Sequence, residues 1–206
     1  MKSGFTLIEM LVVIGIIAVL LGASMSGYGV FVRRAANARC AELVHNVQVA
    51  MVGVMQADGA WPRPILHGSG APNDAEMGKE PGAALAKRGA MSLVYKRTER
   101  EGDTVYELAG NDRFGVVTPW AKEVLKRNAS ASESTHVPTG GTIRDHVLHY
   151  AIDDDGDGRV RASVGGASVI IRGSAAVWCC GANGKIEPYG QRGDDVYSWS
   201  ADQVEN

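Results

Sequence analysis

Closely spaced acidic residues are the clearest chemical signal in this sequence. Asp153-Asp154-Asp155-Gly156-Asp157-Gly158 has the D-x-D-x-D-G form. Carboxylates at alternate positions, with a glycine for a sharp turn, can wrap oxygens around a hard cation such as calcium. Val160 fills the apolar position that follows, but Val164 stands where such a loop would close with a bidentate glutamate. Asp153, Asp155 and Asp157 are therefore the weaker of two candidate ligand sets, and an exposed hairpin turn that tolerates acids is the alternative. The other acidic segment runs from Gly181-Ala182-Asn183-Gly184-Lys185 to Gly193-Asp194-Asp195-Val196. It combines a tight turn, a glycine-containing stretch and paired aspartates ahead of an apolar residue. Catalytic patterns are missing: there is no nucleophile elbow, phosphate-binding loop or zinc spacing. His146 and His149 are odd-spaced and point to opposite faces of a strand, so with His136 and Asp145 they make a poor shared site. The sequence reads as a non-enzyme.

A lone carboxylate matters at the other end. Lys2 and Gly4-Phe5-Thr6-Leu7-Ile8-Glu9 precede the interval Met10–Val32, whose 23 residues carry no charge. As a helix that interval reaches about 35 Å, enough to cross a hydrocarbon core with some tilt. A secretory signal peptide fits poorly, because the run is too long and Glu9 sits where the apolar region should begin. A carboxylate at the edge of an apolar span needs a partner. An amine freed by cleavage after Gly4 points away along its own helix, but the amine of a neighbouring copy could reach Glu9. Charge pairing thus favours identical helices packed side by side with an axial offset.

Gly4-Phe5-Thr6-Leu7-Ile8-Glu9, with the short leader bearing Lys2 and the long apolar run, resembles the class III signal of type IV pilins and pseudopilins. The resemblance implies cleavage between Gly4 and Phe5 by a prepilin peptidase, N-methylation of Phe5, and assembly through Glu9 into a helical filament. It places the chain in a bacterial inner membrane as a single-pass protein with a periplasmic head. The implied partners are further copies of the chain, other pseudopilins, the inner-membrane assembly platform and membrane lipid. Arg33, Arg34 and Arg39 against Lys2 lean toward the opposite orientation, but the peptidase requires the leader on the cytoplasmic face. The second acidic segment resembles the calcium loop of major pseudopilins of type II secretion. That likeness implies Asn183, Asp194 and Asp195 as side-chain ligands and Lys185 as a backbone-carbonyl donor for a structural Ca2+. It favours a secretion pseudopilus over a type IV pilus serving adhesion, motility or DNA uptake. A monomeric single-span protein with a calcium-binding periplasmic domain is the reading from another class.

The elements that would position these residues follow from periodicity. Ala36, Cys40, Leu43, Val44, Val47, Ala50, Met51, Val54 and Met55 recur at helical spacing, which predicts one long helix from about Phe5 to about Ala57, stopped by Gly59 and Pro62. His45 falls beside that face, at the surface. Many pilins have a helix-kinking proline near the position of Ser26; Gly22, Gly27 and Gly29 would soften this helix instead. Pro62–Ala90 reads as irregular, with a short helix around Ala83–Arg88. Ser92–Tyr95 and Thr104–Leu108 read as a hairpin, Trp120–Arg127 as a helix opened by Pro119, and Asn128–Thr142 as a mobile loop. Four strands follow, at 147–152, 159–164, 168–172 and 175–179, and an antiparallel meander is the simplest arrangement. The expected fold is α+β: a long N-terminal spine helix, transmembrane in its first half, packed on a C-terminal antiparallel sheet. The expected divisions are a leader (1–4), a transmembrane and assembly helix (5–32), its amphipathic continuation (33–57) and a globular head (58–206). With 21 basic and 23 acidic residues, the chain lacks the basic excess of a nucleic-acid binder. For the three cysteines, a bridge from Cys40 to one of Cys179 and Cys180, or three free buried thiols, are both open; strand alternation turns only one of the adjacent pair inward.

Overall fold

The computed structural model describes residues 7–66, 70–71, 73–87, 95–100, 103–108 and 114–205. Side chains at 21, 23–28, 30, 70–71, 87, 95–100 and 103–108 lie outside the described set. The leader, Gly4, Phe5 and the strand residues expected at 92–94 fall outside it too. Two compact units are distinguished, Met1–Ala38 and Arg39–Asn206. Helix α1, Leu7–Asp58, supplies residues to both.

In the first unit α1 stays helical through Gly22, Gly27 and Gly29. The expected softening there produces no break in the helix. Large apolar side chains are exposed along it, including Leu7 at 81% and Val19 at 72%. Such a run leaves much of its apolar surface uncovered by the chain itself.

In the second unit the expected helical stripe is the buried one. Cys40, Val44, Val47, Ala50, Met51 and Val54 are buried, while His45 is exposed. Burying a side chain such as Val or Met contributes roughly 1.5–3 kcal/mol relative to exposure. Gly59 ends α1 in the left-handed region at φ 67°, its N–H donating to the Met55 carbonyl at 2.9 Å. This is the geometry for which glycine is favoured after a helix.

The segment expected to be irregular contains a short helix α2 (Arg63–Leu66), strands β1 (Gly70–Ala71) and β2 (Asp74–Glu76), and helix α3 (Lys79–Lys87). α3 begins four residues before the expected start because Pro81 lies in its first turn, where a missing N–H costs no helical bond. The hairpin is present as β3 (Tyr95–Arg100) and β4 (Asp103–Leu108), paired from Tyr95↔Leu108 to Arg100↔Asp103. β3 therefore runs on through Lys96–Arg100, beyond the expected strand end at Tyr95. Helix α4 (Pro119–Arg127) follows Thr118 and buries Trp120, Ala121 and Leu125. Asn128–Thr142, expected as a mobile loop, is pinned. Ala131 and Val137 are buried, and the N–H groups of Ile143 and Arg144 donate back to Thr135 and Glu133.

The meander expectation is corrected by the sheet order. Strands β5 (His149–Ile152) and β8 (Ala175–Cys179) pair directly, in a five-stranded antiparallel sheet ordered β1-β2-β5-β8-β9, with β9 at Val196–Tyr197. β6 (Arg159–Val164) and β7 (Ala167–Arg172) form a hairpin in a separate three-stranded sheet with β10 (Val204–Glu205). Packing explains the split. β6 and β7 alternate, burying Val160, Ala162, Val164, Val169 and Ile171 in one cluster with Ala151, Ala176 and Trp178 of the larger sheet. β8 is buried at all five positions, as a strand covered on both faces must be. Its second cover is α1, whose Cys40 reaches Cys179 and whose Gln48 Nε2 donates to the Ala175 carbonyl at 2.9 Å. The same double cover corrects the cysteine expectation, since Cys179 and Cys180 are both fully buried. The architecture is α+β with antiparallel sheets, consistent with a pilin-like head.

Candidate metal centre and assembly helix

The segment between β8 and β9 brings three carboxylates together. Glu187, Asp194 and Asp195 each present an oxygen, and these oxygens lie within 4.8 Å of one another. Each residue is anchored through one carboxylate oxygen. Asn183 Nδ2 donates to Glu187 Oε1 at 2.7 Å, the Ala182 N–H to Asp194 Oδ2 at 2.8 Å, and the Glu187 N–H to Asp195 Oδ2 at 2.8 Å. Glu187 Oε2, Asp194 Oδ1 and Asp195 Oδ1 are buried and have no hydrogen-bond partner among the described residues. Buried charged oxygens without donors are costly unless a cation supplies the missing interaction. Burial, reinforced by the neighbouring Glu187 charge, pushes the Asp195 carboxyl up to about 6.

Two glycines permit this convergence. A Cβ on Gly181 would come within 2.1 Å of Asp194 Cγ, and one on Gly193 within 2.7 Å of Glu187 Oε2. The donor set, all oxygen and three carboxylates, suits a hard divalent cation such as calcium. Tyr197 joins the site to the core: its hydroxyl donates to Asp195 Oδ2 at 3.3 Å, and its ring lies 4.9 Å from that of Trp199.

The expected ligands are placed unevenly. Asp194 and Asp195 belong to the cluster. Asn183 orients Glu187, and its Oδ1 accepts the Lys185 N–H at 2.8 Å, while Lys185 itself is exposed. Glu187 was missed from the sequence, because it stands seven residues from the aspartate pair across a glycine-containing stretch and outside the recognised pattern. The Asp153 loop also gathers its carboxylates within 4.8 Å, but it satisfies them internally. Asp153 accepts the N–H groups of Gly156, Asp157 and Gly158, and Arg161 spans Asp155 and Asp157 at 3.1 and 2.6 Å. The Arg161 guanidinium holds the Asp157 carboxyl below its usual range.

The histidines separate as follows. His136 is exposed, and His149 Nδ1 meets Asp74 Oδ1 at 2.7 Å. His146, in a short 3-10 helix at Arg144–His146 rather than on a strand, lies 3.2 Å from Cys180 Sγ and 2.9 Å from Thr118 Oγ1. This Cys–His contact joins residues 34 apart and has no signature in the local sequence pattern. Both side chains are fully buried, and burial lowers the His146 pKa and raises that of Cys180. This is the reverse of the electropositive, accessible setting that activates a thiol.

On α1, Glu9 stands in the first described turn of the helix. The first 25 residues match the family model of the prokaryotic N-terminal methylation motif. The chain carries a class III signal. That signal is typical of type IV pilins and pseudopilins, and it supports a pilin-like protein processed by a prepilin peptidase, located at a membrane or in a filament. Comparison with curated proteins and with solved structures finds no match. Among the described residues, no helix is long and apolar enough to cross a membrane. Of the expected span 5–32, residues 5 and 6 and the side chains at 21, 23–28 and 30 lie outside those residues.

Proposed function

We propose that this pilin-like chain is a structural subunit of a type II secretion pseudopilus. It is inserted in the bacterial inner membrane, cleaved between Gly4 and Phe5, and polymerised with its head on the periplasmic side. The observation that carries the reading is the methylation motif at residues 1–25 on a helix whose apolar side chains are exposed. Lipid covers those side chains before assembly, and neighbouring copies cover them afterwards. Glu9 selects the stagger by pairing with the Phe5 amine of an adjacent copy. In the head, Glu187, Asp194 and Asp195 hold a structural calcium ion that clamps the 181–195 segment to the sheet. Their unpartnered oxygens support this assignment, as does the likeness of the segment to the calcium loop of major pseudopilins.

Glu9→Ala tests the assembly role. The variant is expected to enter the membrane and lose its leader normally, yet to yield no sheared or cross-linked filaments. Filaments at the wild-type level would contradict the proposed pairing. Deleting the chain separates the two filament systems: loss of protein export with surface pili intact supports the pseudopilus, and the opposite outcome supports a type IV pilus.

A further inference from the structure

Three thiols lie in the head: Cys40 on α1, Cys179 at the end of β8, and Cys180 beside it. We propose that Cys40 and Cys179 form a disulfide in the mature protein, fastening the spine helix to the central strand, while Cys180 stays a thiol. Cys40 Sγ and Cys179 Sγ are 2.7 Å apart, and both residues are fully buried. Cys180 Sγ is turned elsewhere, 3.2 Å from the Asp145 carbonyl and 3.2 Å from His146 Nδ1. Partner choice between adjacent cysteines is thereby set by the fold: one faces the helix and the other the His146 turn.

The compartment supplies the chemistry. An exported head meets oxidising conditions, and to that extent the inference rests on the reading of the chain as exported. One cysteine thiolate attacks a small-molecule or protein disulfide, RSSR, forming a mixed disulfide and releasing RS−. The second cysteine thiolate displaces the remaining RS− and closes the bond. RSSR is reduced to two RSH, which take up the two cysteine protons, and the cysteine pair is oxidised by two electrons. The step belongs to folding, because neither sulfur is accessible afterwards. The Cys40 contact and burial also hold the Cys179 thiol well above the ordinary range, so a folded, reduced pair would exchange slowly. The bridge joins residues 139 apart, and closing so long a loop restricts the unfolded chain strongly.

The test uses the full chain in detergent, unfolded with reductant and refolded in a mixture of oxidised and reduced glutathione. Alkylation followed by peptide fragmentation is expected to find one labelled thiol, Cys180, and a Cys40–Cys179 link. Cys180→Ala is expected to keep the link and Cys179→Ala to lose it. The oxidised chain should melt about 10 °C above the reduced chain. Three labelled thiols, or a bridge to Cys180, would overturn the proposal. Chain isolated from membranes of a host with a prepilin peptidase gives the second arm, read by intact mass. A leaderless chain with three reduced thiols also overturns the disulfide. A chain that keeps its leader overturns the processed-subunit reading instead, and the refolding arm still decides the bridge.

Discussion

Glu187 changes what the paired aspartates can do. Asp194 and Asp195 alone would be two surface acids, whereas a third carboxylate within 4.8 Å, with one bare oxygen on each, makes a place for a cation. Calcium at a hundredfold excess over its Kd should stabilise the full chain by about 2.7 kcal/mol, or roughly 5–11 °C in Tm. Glu187→Gln and Asp194→Asn should each remove most of that gain, and an undiminished gain in either variant would exclude the site. The pH response has a defined sign. Asp195 is raised from 3.8 to about 6, so between those values the folded chain holds a proton that the unfolded chain has lost. Its contribution to stability therefore falls as pH rises through that window. With a chelator present, acidifying from pH 7 to pH 5 should narrow the stability gap between wild type and Asp195→Asn, and saturating calcium should abolish the narrowing. Thermal melts of both proteins at the two pH values check this, and a gap that does not change with pH in chelator would refute it.

Element by element, the sequence was most informative where one face of an element is buried. The stripe from Cys40 to Val54 appears in the structure as a buried face, and strands stand at 159–164 and 167–172 close to where they are expected. Short strands were harder to see. β1, β2, β9 and β10 span two or three residues each, too few to show a period, and their pairing is set by tertiary neighbours. The meander failed for a related reason. Strand spacing cannot tell a hairpin that continues a sheet from one that folds over it, and here the apolar face of β6–β7 closes on Trp178. At the candidate site the aspartate pair was legible as a pattern, while Glu187 became a ligand candidate only when the chain folded back. β8 is the element on which helix and hairpin converge, and Trp178 is its largest fully buried side chain. Trp178→Ala should destabilise the head by about 3–5 kcal/mol. Denaturant unfolding would measure it, and a loss below about 1 kcal/mol would contradict the central role given to β8.

At the scale of the whole molecule, a near-neutral composition conceals two unlike parts. Residues 10–32 carry no charge and the head carries nearly all of it. Exposed apolar residues such as Ile8, Leu11 and Ile14 on α1 fit the membrane or filament setting that the N-terminal motif supports. The head by contrast encloses its own core and carries its cation candidate far along the chain from Glu9. The central claim is that the chain is a processed subunit, and the N-terminus of the mature protein tests it most directly. Intact mass and N-terminal sequencing of the chain recovered from membranes of a host with a prepilin peptidase should give N-methylated Phe5 as the first residue, and a peptidase-deficient host should retain Met1–Gly4. A chain that begins at Met1 in both hosts would contradict the account.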